Sequence, residues 1–312
     1  MNLFTKIYYK FCFQQWNIGI SNYSIDDLFR NKKIDSPFTW MDINSNFRFF
    51  ADPFIFKSPE GNINLIYEDF DYSNNYGKIC LSTFTSQFKY LSSTELLDTK
   101  SHCSYPYIHI DNDRVRVIPE SGKNGNVCCY DYDFNTNTLV NKINIINSQP
   151  LLDSTVLYYN NKYWLFATKI GKCSNSQLLI FYSDNFEGPY TPHVKNPFKN
   201  NLDGTRPAGH FIKYEGGIYR PTQNSSERYG KSISFNKICR LDEYDFIEEL
   251  YFKINPPLNS SFCKGIHTIN FLDDYLVVDG LKIVFSPLQK CKLYFNLVYS
   301  RYITKFNSIF LF

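Results

Sequence analysis

The polar residues that could do chemistry recur in a fixed relation to short apolar runs. Asp52, Tyr105, Asp153, Arg206 and His267 each stand in a segment that opens an alternating strand: Ala51-Asp52-Pro53-Phe54, Ser104-Tyr105-Pro106-Tyr107, Leu152-Asp153-Ser154-Thr155, Arg206-Pro207-Ala208-Gly209 and Gly265-Ile266-His267-Thr268. A second strand follows each of them. Near its end stand, in turn, Glu68, Glu120, Thr168 or Lys169, Arg220 with Gln223, and Asp279. Carboxylates accept hydrogen bonds from hydroxyl groups and arginine donates in a rigid fork, so such a set suits a polyhydroxylated ligand, a sugar. Two carboxyl groups whose surroundings push their pKa values apart can also serve as general acid and base in glycosyl chemistry.

Convergence of these residues depends on the elements that carry them. Each opening strand runs into a turn of suitable chemistry: Glu60-Gly61-Asn62, Asp111-Asn112-Asp113, Asn160-Asn161, Glu215-Gly216-Gly217 and Asp273-Asp274. The return strands are Ile63 to Glu68, Val115 to Glu120, Tyr163 to Thr168, Ile218 to Gln223 and Tyr275 to Asp279. A unit of about 50 residues with up to four short strands is the pattern of a propeller blade. Five units fit the 312 residues, and an aromatic content of 18% agrees with strands rather than a helical bundle. The fold class expected is all-β, a five-bladed β-propeller. A pair of β-sandwiches would leave the recurring polar signature unexplained. One propeller domain is expected over residues 1–285, with a strand around Trp16 to Ile20 completing the last blade and a connecting loop from about Ser21 to Asn46. Innermost strands line the axis, and antiparallel pairing returns each second strand to the same rim, so the polar residues should gather at one end of it.

Several other chemistries are excluded. Net charge is only +3, too balanced for a nucleic-acid surface. His102, His109 and His193 lie outside the repeated positions and lack metal-ligand spacing, so neither a metal nor another cofactor is expected. Gly216-Gly217 reads as a hairpin turn rather than a phosphate loop, and no Gly-x-Ser-x-Gly elbow is present. Nine cysteines, two of them the adjacent Cys128 and Cys129, suggest reduced thiols. Lys6 and Lys10 interrupt what would be the apolar part of a secretory signal, so a cytoplasmic protein is expected, peripheral at the inner membrane face. From Leu281 to Phe312 the chain carries Lys282, Lys290, Lys292, Arg301 and Lys305, no acidic residue and many aromatics, a composition of segments that lie on anionic membranes. The simpler expectation for residues 286–312 is a strand or helix packed on the propeller with its charges in water.

The run Ala51-Asp52-Pro53-Phe54-Ile55-Phe56 with Tyr67-Glu68, then Ser104-Tyr105-Pro106-Tyr107 with Ile118-Pro119-Glu120-Ser121, then Leu152-Asp153-Ser154-Thr155 with Trp164-Leu165-Phe166, resembles the N-terminal propeller of glucosamine inositolphosphorylceramide transferases and its bacterial stand-alone relatives. The likeness continues through Phe181-Tyr182-Ser183-Asp184, Gly188-Pro189-Tyr190-Thr191-Pro192-His193, Tyr219-Arg220-Pro221-Thr222-Gln223, Tyr229-Gly230 and Val278-Asp279-Gly280. It implies a five-bladed fold related to family 43 glycoside hydrolases, with a sugar site at the axis. In those hydrolases acidic residues on successive blades act as base, pKa modulator and acid. Asp52 matches the base position, Tyr105-Pro106 replaces an acidic residue on the second blade, and Asp153 opens the third, followed by Ser154 where proline is common. In the multidomain relatives a separate domain carries glycosyl transfer.

The expected site has Asp52, Glu120 and Asp153 as catalytic groups and Glu68, Tyr105, Arg206, Arg220, Gln223, His267 and Asp279 as substrate-binding groups. Glycosyl transfer in the assembly of a surface polysaccharide or glycolipid ranks first, with a sugar or nucleotide-sugar substrate, a lipid-linked acceptor, and Arg206 and Arg220 on a donor phosphate. Hydrolysis, with Asp52 as base and Glu120 or Asp153 as acid, ranks second. Non-catalytic glycan binding ranks third.

Overall fold

The computed structural model describes residues 3–295 apart from 44, 46, 113, 121–124 and 200. In chain order, α1 (Leu3–Lys10) leads into β1 (Cys12–Asn22), then α2 (Ile25–Asn31) and β2 (Thr39–Trp40). Blade 1 follows as β3 (Arg48–Lys57), β4 (Ile63–Asp71), β5 (Tyr76–Phe84) and β6 (Tyr90–Leu97). Blade 2 is β7 (Ser104–Asp111), β8 (Arg114–Glu120), β9 (Val127–Asp133) and β10 (Thr138–Ile146). Blade 3 is β11 (Leu151–Tyr159), β12 (Lys162–Lys169), β13 (Leu178–Ser183) and β14 (Thr191–Pro192). Blade 4 opens with β15 (Asp203–Pro207) and β16 (Ile212–Tyr214), both paired to β17 (Gly217–Asn224), and ends with β18 (Ser232–Leu241) and β19 (Phe246–Ile254). Blade 5 takes β20 (Ile269–Leu272) and β21 (Tyr275–Phe285) from the far end of the chain and β1 and β2 from its start.

The protein is a five-bladed β-propeller, and its ring is closed by the N-terminal strand. β1 runs antiparallel to β21 without a break, from Cys12 opposite Phe285 to Asn22 opposite Tyr275. Pairing the two ends of the chain removes the free edge that an incomplete fifth blade would leave. Apolar clusters then fill the gaps between sheets. Phe54, Tyr105, Tyr107 and Leu165 belong to one that spans blades 1 to 3, and Trp164, Phe166, Leu241 and Phe246 join blades 3 and 4.

The stretch between β1 and β3 is more than the connecting loop expected. Ser24 caps α2 through a reciprocal box with Asp27, and Leu28 and Phe29 bury against Tyr219, Phe235 and Phe252 of blade 4. Two apolar residues at adjacent positions on a two-turn helix give too short a period to recognise in sequence. At the other terminus, residues 287–295 are helical. Arg301, Lys305 and the aromatics beyond Phe295 lie outside the described residues.

In four of the five units the recurring polar signature coincides with a β-bulge; in the fifth, His267 and Thr268 precede β20. Register breaks fall between Ala51 and Phe54, Ser104 and Tyr107, Leu152 and Thr155, and Asp203 and Pro207. Within these breaks Asp52, Tyr105, Asp153 and Gly204 have φ of +52°, +40°, +52° and +82°. An extra residue in left-handed conformation turns its side chain out of the strand's alternation. In this way Asp52, Tyr105 and Asp153 are turned out of the regular alternation of their strands.

Candidate active site

Backbone amides of the first three bulges bind carboxyl groups, and this ties each of blades 1 to 3 to the blade before it. The Asp52 N–H donates to Asp279 Oδ2 (3.1 Å), the Tyr105 N–H to Asp52 Oδ2 (3.2 Å) and the Asp153 N–H to Glu120 Oε2 (3.3 Å). Blades 5, 1, 2 and 3 are thus linked in a chain, and the left-handed Asp52, Tyr105 and Asp153, a conformation costly for a side chain other than glycine, are each held by a carboxyl acceptor. Asp279 Oδ1 also accepts the N–H groups of His267 and Thr268, each at 2.9 Å.

His267 sits between Asp52 and Asp279. Its Nε2 lies 3.3 Å from Asp52 Oδ1 and its Nδ1 lies 2.9 Å from Asp279 Oδ2, the latter an ion-pair contact without hydrogen-bond alignment. Burial alone would make the imidazole harder to charge, but the two carboxylates overcome it and raise the His267 pKa to about 10. Asp52 responds in the opposite sense: burial raises its pKa, and the imidazolium with the Thr268 hydroxyl (2.8 Å) outweighs burial and holds it below the ordinary value. Trp16 packs over His267 with ring centroids 4.2 Å apart. The three groups Asp52, His267 and Asp279 have donor atoms within 4.8 Å of one another, a spacing that a cation could share. Here the imidazolium itself supplies the positive charge between the carboxylates.

Glu68 and Glu120 follow the opposite course. Burial, reinforced by the neighbouring Asp52, pushes Glu68 well above the ordinary range, and burial with Asp153 nearby does the same to Glu120. In both, burial shifts the balance towards the protonated form. Glu68 Oε1 is buried without a hydrogen-bond partner, 3.6 Å from His102 Nδ1. The space it occupies exists because residue 77 is glycine: a Cβ there would stand 2.2 Å from that oxygen.

Asp153 is bound by Arg206, which donates Nε to Oδ2 and Nη2 to Oδ1 (3.2 Å) and also reaches Asn175 Oδ1 (3.2 Å). Gln223 Nε2 lies 3.5 Å from the same carboxylate and donates to the Pro207 carbonyl at 3.0 Å. Tyr105 is fully buried, with its hydroxyl 2.8 Å from Thr155 Oγ1 and accepting the Gly209 N–H at 2.8 Å. It serves as a strut between blades 2, 3 and 4. Gly209 is required there, since a Cβ would meet the Ile269 carbonyl oxygen at 2.0 Å.

Asp52, Glu68, Tyr105, Glu120, Asp153, Arg206, Gln223, His267 and Asp279 are therefore linked around the axis by hydrogen bonds, ion pairs and mutual electrostatics. Arg220 is not among them. Three residues from Gln223 along β17, it is about 10 Å down the strand. There it is buried, donating to Glu248 Oε2 (2.8 Å) and to the carbonyls of Gly204 (2.6 Å) and Thr205 (3.1 Å). Of the two residues expected at the end of the third blade's return strand, Thr168 is buried and Lys169 exposed.

Sequence reasoning missed three neighbours. Tyr229 is 38% exposed and covers the cluster, with the Arg206 guanidinium 5.3 Å from its ring centre and the His267 ring at 5.3 Å. Trp16, expected to close the ring, also packs its ring on His267. His210 bridges blades beneath the site, its Nδ1 2.7 Å from Asn270 Oδ1 and its Nε2 2.8 Å from the Ile108 carbonyl. The Tyr229-Gly230 pair within the resemblance was the one signal available for these. Asp52, Glu68, Glu120, Asp153, His267 and Asp279 are all buried. A cavity of about 780 Å³ opens elsewhere, between the last and first blades, walled by Trp40, Phe50, Tyr67, Phe88, Tyr90 and Tyr275. Asp42 is the charged residue of its lining, so it offers no cation to a phosphate.

Residues 36–267 match the family described as glucosamine inositolphosphorylceramide transferase 1, N-terminal. The chain belongs to this family. A glucosamine inositolphosphorylceramide transferase 1 of Arabidopsis thaliana is 34% identical over 158 residues, covering 49% of this chain and 20% of the relative. Its counterpart in Oryza sativa subsp. japonica is 30% identical over 209 residues, covering 64% and 27%. The chain thus aligns with about a quarter or less of these relatives. Among solved structures, a family 43 β-1,3-galactosidase superposes with a TM-score of 0.53 at 14% identity, over 67% of this chain and 47% of that one. A thermostable family 43 glycoside hydrolase gives 0.51 at 16% identity, over 70% and 81%. At such identities the likeness is one of fold.

The site also sets the pH dependence of folding. The native pKa of His267, about 10, lies above its unfolded value near 6.5, so its stabilisation is complete below about pH 6.5 and is lost as pH rises through 10. Glu68 and Glu120, raised on folding, likewise weaken the fold as pH rises above their ordinary range. Asp52 acts oppositely, its contribution being present above the ordinary carboxylate pKa and lost in acid. Melting temperature, followed by circular dichroism, should fall steadily between about pH 6.5 and 10, and His267→Gln should flatten that decline. An unchanged slope in the variant would remove His267 as its source.

Proposed function

We propose that the protein is a carbohydrate-active enzyme that transfers a glycosyl unit from an activated sugar to an acceptor at the propeller axis. The observation that carries the reading is the division of the axial carboxyl groups into two kinds. His267 favours the ionised form of Asp52, while burial favours the neutral form of Glu68 and Glu120. An ionised carboxylate can take the proton of an attacking acceptor hydroxyl, and a neutral carboxyl can protonate the leaving oxygen. Asp153 is less suited to proton transfer, because both of its oxygens are held by Arg206. Tyr229 and Arg206 border the approach and would meet the substrate first. With Arg220 committed to Glu248, contact with a donor phosphate falls to Arg206 alone, in exchange for part of its hold on Asp153.

The relatives' name, a transferase acting on a glycolipid, supports transfer to a lipid-linked acceptor. A second reading, hydrolysis, is favoured by the same contrast between Asp52, whose pKa is lowered, and the two glutamic acids, whose pKa values are raised, which is also sufficient to activate water. A panel of nucleotide sugars, with and without glycan or glycolipid acceptors, separates the two. Transfer predicts nucleotide release that depends on both donor and acceptor and falls by about 10²-fold or more in Glu68→Gln or Glu120→Gln, whichever is the acid. Cleavage of aryl glycosides with no response to any nucleotide sugar would replace transfer with hydrolysis. Saturable sugar binding without turnover would leave a binding module.

A further inference from the structure

The two ends of the chain lie outside the family match, and the fold brings them together. Cys12 of β1 pairs with Phe285 of β21, Tyr8 of α1 stacks on Phe285 with centroids 4.9 Å apart, and the Ser286 N–H donates to the Phe11 carbonyl at 3.0 Å. The C-terminal helix, residues 287–295, is seated on this junction by one face. Lys290 places its ammonium 4.1 Å from the Phe13 ring centre and 5.1 Å from that of Tyr72, and Leu293 is buried. Its other face is bare: Leu288 is 85% exposed, Tyr294 68% and Phe295 70%. Beside them Tyr8, Tyr9 and Phe285 are about half exposed.

Isolated exposed apolar residues need no explanation, whereas a cluster of large ones on adjoining terminal elements does. The charge carried by the two terminal segments is of one sign. Lys10, Lys282 and Lys292 are exposed at the junction, and no Asp or Glu occurs in residues 1–25 or 281–312. Aromatic and aliphatic side chains interleaved with lysines and free of carboxylates match the interface of a bilayer rich in anionic lipid. Among the described residues no helix is long and apolar enough to cross a membrane.

The surface also has a defined relation to the axial site. Asp279 and Phe285 lie on one strand, six residues or about 20 Å apart. Between them Leu281 pairs with Trp16, whose ring packs on His267. The geometry points to a membrane-docking surface, built from α1, Phe285 and the C-terminal helix, that seats the propeller on an anionic bilayer at the rim bearing the axial carboxylates. Resting on the transferase reading, this makes the acceptor a molecule anchored in that bilayer and presented from its surface.

The test is co-sedimentation of the full chain with vesicles of phosphatidylcholine alone and of phosphatidylcholine with phosphatidylserine. Binding is expected with the anionic vesicles, weakening steeply as salt is raised. It should drop by roughly tenfold or more in Lys10→Glu/Lys292→Glu. Leu288→Ser/Tyr294→Ser should weaken it even at low salt, and melting curves of both variants should match the parent, because these side chains face outward. Equal, negligible sedimentation with both vesicle types would overturn the proposal. So would a dimer in light scattering that Leu288→Ser/Tyr294→Ser dissociates, which would make the face a contact between copies. Nucleotide release with a soluble acceptor should be unchanged in these variants, so membrane binding and glycosyl transfer can fail independently.

Discussion

Asp52→Asn is expected to reduce turnover by about 10² to 10⁴-fold while the protein remains folded. The substitution keeps the volume, and asparagine is among the side chains best able to adopt the φ of +52° that this bulge position requires. The amide oxygen can still accept the Thr268 hydroxyl, but the bond from the Tyr105 N–H then faces an NH₂ group, so some stability is lost. What disappears outright is the group that can take a proton. His267 would retain Asp279 as its partner, and its pKa should fall from about 10 towards its ordinary value without losing the pair. Steady-state turnover beside a thermal melt reads both effects. Full activity in a folded Asp52→Asn protein would exclude Asp52 as the base.

Arg220→Met should have its main effect on stability. It removes one half of a buried ion pair and leaves Glu248, itself about 1% exposed at its side chain, without its principal partner. Burial would push the Glu248 carboxyl up, and it is Arg220, helped by Lys199, that holds it below its ordinary value. Breaking such a pair costs about 3–5 kcal/mol, a fall in melting temperature on the order of 10 °C. Arg220→Met/Glu248→Leu should recover much of that loss, because no uncompensated carboxylate remains. Arg220 also grips the carbonyls of Gly204 and Thr205, the bulge that precedes Arg206, so a modest loss of activity should accompany the destabilisation. A raised KM with an unchanged melting temperature would instead mean that Arg220 contacts substrate.

These two residues mark how far a sequence can be read. Asp52 and Arg220 both occupied repeated positions and looked equivalent in kind. Asp52 lies inside the bulge, where the strand's alternation is interrupted and the side chain is released to the axis. Arg220 lies within the regular part of β17, where its direction is fixed by pleat and depth, and its partner comes from β19, 28 residues away. Nothing local announces that pairing. Tyr229 stands in a connection between strands, where hydrophobic period carries no information, and it became part of the site only because the ring closes over it.

The sequence by itself determined the class of fold, the number of blades and the closure of the ring, because strand period, turn chemistry and a fifty-residue repeat are local properties that any all-β chain must display. It also pointed to most of the carboxylates and cations at the axial rim, since those lie at blade-equivalent positions, with Arg220, paired to Glu248 instead, as the exception. Tertiary structure alone decided which of them favour the charged form. Asp52 and Glu68 are both acids on neighbouring strands of one blade, and they differ because His267 arrives from the last blade to pair with one of them and leaves the other buried. A carboxyl group's charge in a low-dielectric interior depends on what stands within a few ångströms of it, and that depends on the closing of the ring.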